Sequence, residues 1–113
     1  MLYALSDNGL FARPMKFMNS LQKLTRELLV SNRCGIHARV ATLLAKKANE
    51  FTSKISIHKG SYIADCRSVL DLLSLGAFQG EAILIEADGL DAEDAIGAIT
   101  ALFNARFFED EVE

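Results

Sequence analysis

Two histidines and two cysteines are the side chains of this sequence best suited to nucleophilic or ligand chemistry, and their surroundings differ. His37 lies in Gly35-Ile36-His37-Ala38-Arg39, in the connection that leads into a periodic segment, with a guanidinium two positions later. A helix start presents backbone N–H groups without intrahelical acceptors and a partial positive charge, so it can hold an anion carried on a nearby side chain. Arg39 would add charge-assisted hydrogen bonds to the same oxygens. Neutral imidazole is a competent nucleophile near physiological pH, and a covalent intermediate on it splits a difficult transfer into two steps. A transient phosphoryl acceptor is one reading of this spacing; a lone histidine at a helix start also serves as a cap or a surface residue. His58 alternates with Ile55 and Ile57 and is expected to point to water. Cys34 and Cys66 lack CxxC spacing, so free thiols are expected. Neither a Cys34–His37 nucleophile pair nor a metal site drawing in His58 and Cys66 has a recognised spacing, and no metal or cofactor is expected.

The elements that must position these residues follow from periodicity. Leu28-Leu29-Val30 predicts a strand over 27–31, followed by polar residues and Gly35. Val40, Leu43, Leu44, Ala48 and Phe51 recur at three and four, which predicts an amphipathic helix over 38–51. Ile55 and Ile57, a Lys59-Gly60-Ser61 turn and Tyr62-Ile63-Ala64 predict an antiparallel hairpin. Ser68 has the type and place of an N-cap for a short helix through Val69, Leu72, Leu73 and Leu75, with Gly76 as its C-cap. A strand over 82–87 closes at Asp88-Gly89, and a last helix runs over 92–107 with Asp91, Glu93 and Asp94 at its start. The order βαββαβα predicts an α+β fold: a two-layer open-faced sandwich, with a four-stranded antiparallel sheet carrying three helices on one face. Residues 1–24 are read as an N-terminal extension, either a short amphipathic helix through Met15, Phe17, Met18, Leu21 and Leu24 or poorly ordered, with Met15 or Met18 as an alternative start.

A chain of 113 residues, half of them hydrophobic, has the size and composition of one small packed domain. Its longest apolar runs are far short of the roughly 20 residues that span a bilayer, so membrane insertion is excluded on the sequence and a cytoplasmic location is expected. Net charge is −3, but unevenly spread: residues 31–80 carry seven basic side chains against Glu50, Asp65 and Asp71, while residues 81–113 carry ten acidic groups against Arg106 alone. The modestly basic middle suits a phosphate or an acidic protein surface. It lacks the charge density and interleaved aromatics of a nucleic-acid surface, so no nucleic-acid partner is expected. The closing FEDEVE run, residues 108–113, is read as a solvated acidic tail.

From about residue 25 to 107 the chain resembles HPr, the histidine phosphocarrier of bacterial phosphotransferase systems. Gly35-Ile36-His37-Ala38-Arg39 resembles the family's phosphorylation motif, Arg67-Ser68-Val69 its regulatory-serine motif, and Ser74-Leu75-Gly76 with Gln79-Gly80 its turn into the last strand. Ala101-Leu102-Phe103-Asn104 and Phe107-Phe108-Glu109-Asp110 look more like the nitrogen-related branch, NPr, than the sugar carrier. The resemblance implies a carrier with a transient phosphohistidine rather than an independent enzyme. His37 would accept the group on Nδ1 from Enzyme I, Arg39 would be its electrostatic partner, and an EIIA-type domain would remove it. Ser68 matches the serine that an HPr kinase/phosphorylase modifies in some branches. Val69, Leu70 and Leu73 match the apolar docking surface, although core packing explains a leucine such as Leu73 equally well. Lys46 and Lys47 join Arg39 as steering charges.

Two positions depart from the family pattern. Val40 stands where proline is usual, restoring a backbone donor at the expense of a preset φ, and Cys34 stands where asparagine is usual. These departures motivate an alternative of another class, a regulatory protein that uses the same docking face without efficient transfer. A further short echo, Gly9-Leu10-Phe11-Ala12-Arg13-Pro14, has Phe11 in place of the histidine and is read as chance or a remnant duplication.

Overall fold

The computed structural model describes residues 23–109; the readings made above for residues 1–22 and 110–113 lie outside them. Strand β1 (Lys23–Leu29) leads to helix α1 (Ala38–Ala48), the hairpin β2 (Lys54–Lys59) and β3 (Tyr62–Asp65), helix α2 (Val69–Leu75), strand β4 (Ala82–Asp88) and helix α3 (Ala92–Asn104). The four strands form one antiparallel sheet in the order β1-β4-β2-β3, with three helices, as the sequence predicts. Inward positions of the strands, Ile55, Ile57, Ala64, Ile83, Ile85 and Ala87, meet Val40, Leu44 and Ala48 of α1, Leu72 of α2 and Ile99 and Phe103 of α3.

Three boundaries differ from expectation. Strand β1 starts at Lys23, ahead of the predicted range and two residues into the predicted extension, because its backbone pairs in register with β4 from Lys23↔Asp88 to Leu29↔Ala82. Only Leu24 and Leu28 of that stretch pack on the core, so its polarity conceals a strand. Helix α1 ends at Ala48 rather than Phe51, since the Asn49 side chain donates back to the Ala45 carbonyl at 2.8 Å and closes the last turn. Helix α3 ends at Asn104, and Arg106, Phe107 and Phe108 follow with φ of 53°, 52° and 60°. Three successive left-handed non-glycine residues are unfavourable for L-amino acids. They are held by Phe107, fully buried and edge-on to Phe103 at 4.7 Å between ring centroids.

That reversal carries the largest correction. Glu109, expected in a solvated acidic tail, is only 5% exposed and is folded back onto the loop between β1 and α1.

Candidate functional site

The loop of residues 30–37 is fastened at both ends. Val30 is buried and exchanges hydrogen bonds with the segment before β4, through Val30 N–H to Glu81 O at 2.9 Å and Gly80 N–H to Val30 O at 2.8 Å. Ile36 N–H donates to Ala77 O at 3.0 Å, which ties the loop to the chain just after α2. Gly35 between them has φ +65°, and a Cβ there would lie 2.5 Å from Ala77 O and 2.9 Å from Phe78 Cα. Only glycine satisfies both the conformation and the space.

His37 follows as the N-cap of α1, in extended conformation, with its side chain making no cap hydrogen bond and about one-third exposed. The first intrahelical bond is Ala41 N–H to His37 O at 2.8 Å, which leaves the amides of Ala38, Arg39 and Val40 without intrahelical acceptors. Arg39 is the second residue of the helix and half-buried; among the described residues its Nη2 finds no hydrogen-bond acceptor. Val40 is fully buried in the core. The end of α1 carries an exposed Lys46 and a Lys47 that pairs with Glu50 at 3.2 Å.

Glu109 completes the cluster. Its Oε1 accepts from Arg33 N–H at 3.0 Å, and its Oε2 accepts from Asn32 Nδ2 at 2.9 Å and lies 3.2 Å from His37 Nε2. Asn32 is itself buried and donates a second bond to Gly35 O at 2.7 Å. Burial pushes the Glu109 carboxyl up, but the donors from Asn32, His37, Cys34 and Arg33 together outweigh it and hold the group below the ordinary carboxylate range. Neither Asn32 nor Glu109 was singled out by the sequence, where one is a loop polar residue and the other part of an acidic run.

Among the described residues, Cys34 is the remaining sequence candidate that falls in this cluster. Cys34 is exposed beside His37 and Glu109, their ligand atoms all within 4.8 Å of one another, a grouping unlike the one weighed from the sequence. The Glu109 oxygens already accept from N–H groups, so the trio is engaged without a metal. Cys66 is buried against α1, its Sγ 3.9 Å from Leu44 O, with its thiol pushed up to about 12 by burial. His58 does not simply face water: it is half-buried on the open sheet face, with Nε2 3.1 Å from Glu86. Ser68 caps α2, accepting from Asp71 N–H at 3.1 Å, and Gly76 ends that helix in the left-handed region, as read from the sequence. Along α2, Leu72 and Leu75 face the core, Leu70 is 75% exposed and Leu73 38% exposed, and Val69 is half-buried.

Comparison with known proteins agrees with this geometry. The family described as "PTS HPr component phosphorylation site" matches residues 24–105. The chain is 43% identical to phosphocarrier protein NPr of Shewanella violacea over 89 residues, 79% of this chain and 98% of the relative. It is 32% identical to phosphocarrier protein HPr of Cupriavidus necator over 88 residues, 78% and 99% of the two chains. Among solved structures, HPr of Thermoanaerobacter tengcongensis is similar with a TM-score of 0.71 at 32% identity, covering 79% of this chain and 98% of that one. The match runs through the whole sheet and all three helices, and the chain belongs to the HPr/NPr family of phosphotransferase-system phosphocarriers.

Proposed function

We propose that the protein accepts a phosphoryl group from Enzyme I on His37 and passes it to an EIIA-type domain. The observation that carries this reading is the arrangement at the start of α1: an accessible imidazole, three amides without intrahelical acceptors and an Arg39 nitrogen without one. Such a set can stabilise a phosphoryl dianion on His37 while leaving it open to a second partner. The exposed Leu70 and part-exposed Val69 and Leu73 are the proposed docking face, linked to the site by the bond between Ile36 and Ala77. The higher identity to NPr than to HPr supports the nitrogen-related branch. A carrier with partners of this kind would work in the cytoplasm. No helix among the described residues is long and apolar enough to cross a membrane.

Ser68 is proposed as a second modification site, for an HPr kinase/phosphorylase. A phosphate there would sit at the start of α2, where negative charge is tolerated, although Asp71 lies in the same turn.

Intact mass after incubation with phosphoenolpyruvate and Enzyme I, kept alkaline because phosphohistidine is acid-labile, tests the main reading. One added phosphate on the wild type and none on His37→Ala is expected. A wild type that stays bare beside a carrier that the same Enzyme I does phosphorylate would overturn it and favour a non-transferring regulator.

A further inference from the structure

The contact between Glu109 and His37 has a direction. A carboxylate buried at 5% exposure is unfavourable unless its lone pairs are engaged, and this one comes from a run of acidic residues that solvent would accommodate freely. Instead the chain adopts three left-handed residues and buries Phe107 to bring it back. Both oxygens are then fixed by Asn32 and Arg33, so the carboxylate is held rigidly with Oε2 3.2 Å from His37 Nε2. An ionised carboxylate can only accept, and the donor in this contact must be Nε2–H. In the neutral ring that leaves the lone pair on Nδ1.

We propose that Glu109 is a positioning residue for phosphoryl transfer, holding the His37 ring with its proton on Nε2 and facing the positive charge that develops as Nδ1 bonds to phosphorus. The inference rests on the phosphocarrier reading and adds to it a residue outside the phosphorylation motif. In the step, the Nδ1 lone pair forms the N–P bond while the bond from phosphorus to the donor's leaving atom breaks, its electron pair departing with the donor. The Nε2 proton stays in place, and the ring becomes an imidazolium that carries the phosphoryl group. A fixed carboxylate on the far nitrogen stabilises that cation and needs no reorganisation during the step. Return of the phosphoryl group to an acceptor reverses the charge change, so the same contact serves both directions.

The test uses the full chain with two donors, phosphorylated Enzyme I and the small donor phosphoramidate, which needs no docking surface. Ring nitrogen NMR of 15N-labelled wild type at alkaline pH should show Nε2 protonated and Nδ1 bare; a proton on Nδ1 would overturn the proposal without any variant. Glu109→Gln, nearly isosteric, and Glu109→Ala should remain folded by thermal melting yet take up phosphoryl groups from both donors about 10- to 100-fold more slowly, the size of effect seen when a carboxylate that orients a metal-bound histidine is lost. Wild-type rates in both variants would overturn it, and faster uptake would mark Glu109 as a plug. Loss in Glu109→Ala with full rate in Glu109→Gln would reduce Glu109 to a strut and overturn it as well. A wild type inert to both donors would remove the carrier reading itself, whereas an active wild type with equally active variants removes the role of Glu109 alone.

Discussion

Gly35 sets the geometry of the residues that follow it. It combines a φ of +65° with a space in which a Cβ would meet two backbone atoms at 2.5 and 2.9 Å, and backbone atoms cannot move aside as a flexible side chain can. Gly35→Ala is expected to destabilise the fold by about 2 kcal/mol or more through left-handed strain and overpacking, measured by urea unfolding. The loop would also shift, so phosphoryl uptake by His37 should fall even at temperatures where the variant is fully folded. Val40 acts differently. Its amide has no intrahelical acceptor and its side chain fills the core, so the absence of proline changes the stiffness of the turn and adds a donor without disturbing packing.

Helix starts in this protein are held by residues from elsewhere in the chain as well as by local caps. Ser68 caps α2 in the ordinary way, while Asp91, at the N-cap of α3, accepts instead from the Ser53 hydroxyl and from the Thr52 and Ser53 amides at 2.8 Å, joining α3 to the entry of β2. The Ser53 hydroxyl first, then the Thr52 amide, lower the Asp91 carboxyl from 3.8 to about 2. A folded pKa below the unfolded one means that the stabilisation is present above pH 3.8 and is lost as pH falls through about 2. Asp91→Asn should therefore lower the urea midpoint at pH 6, with the gap to wild type narrowing between pH 4 and 2. A gap that stays constant with pH would show that charge at Asp91 plays no part in the clamp.

At the scale of the molecule, the site and the proposed docking face meet where Ile36 of the loop bonds Ala77 just after α2. The exposed Leu70 makes a clean probe, because at 75% exposure its replacement leaves the core, and Leu72 in it, untouched. Leu70→Asp is expected to change stability by no more than about 0.5 kcal/mol, as for surface substitutions generally. Uptake from Enzyme I should slow several-fold while uptake from phosphoramidate stays at the wild-type rate. Equal slowing with both donors would place the effect on the histidine rather than on docking. Charge works over longer range: Arg39 and the exposed Lys46 put positive charge on α1, which would draw an acidic partner toward it.

What the sequence determined by itself was most of what is encoded within a few residues. The stripe through Val40, Leu44 and Ala48, the alternation of Ile55 and Ile57, and the Ser68 and Gly76 caps each depend on near neighbours, so helices α1 and α2, the hairpin and the element order were all legible. The proposal for His37 and Arg39 draws on the same range, since both lie in one contiguous motif. Tertiary structure decided the rest. The start of β1 depends on its register with β4, and nothing in Lys23-Leu24-Thr25-Arg26 announces it. Glu109 lies 72 residues from His37, and its place beside that ring depends on the burial of Phe107, on the left-handed turn that this burial enforces, and on Asn32 waiting in a different loop. In the sequence an acidic run signals solvation, because the favourable alternative, a buried and fully hydrogen-bonded carboxylate, exists only once distant donors have been brought together.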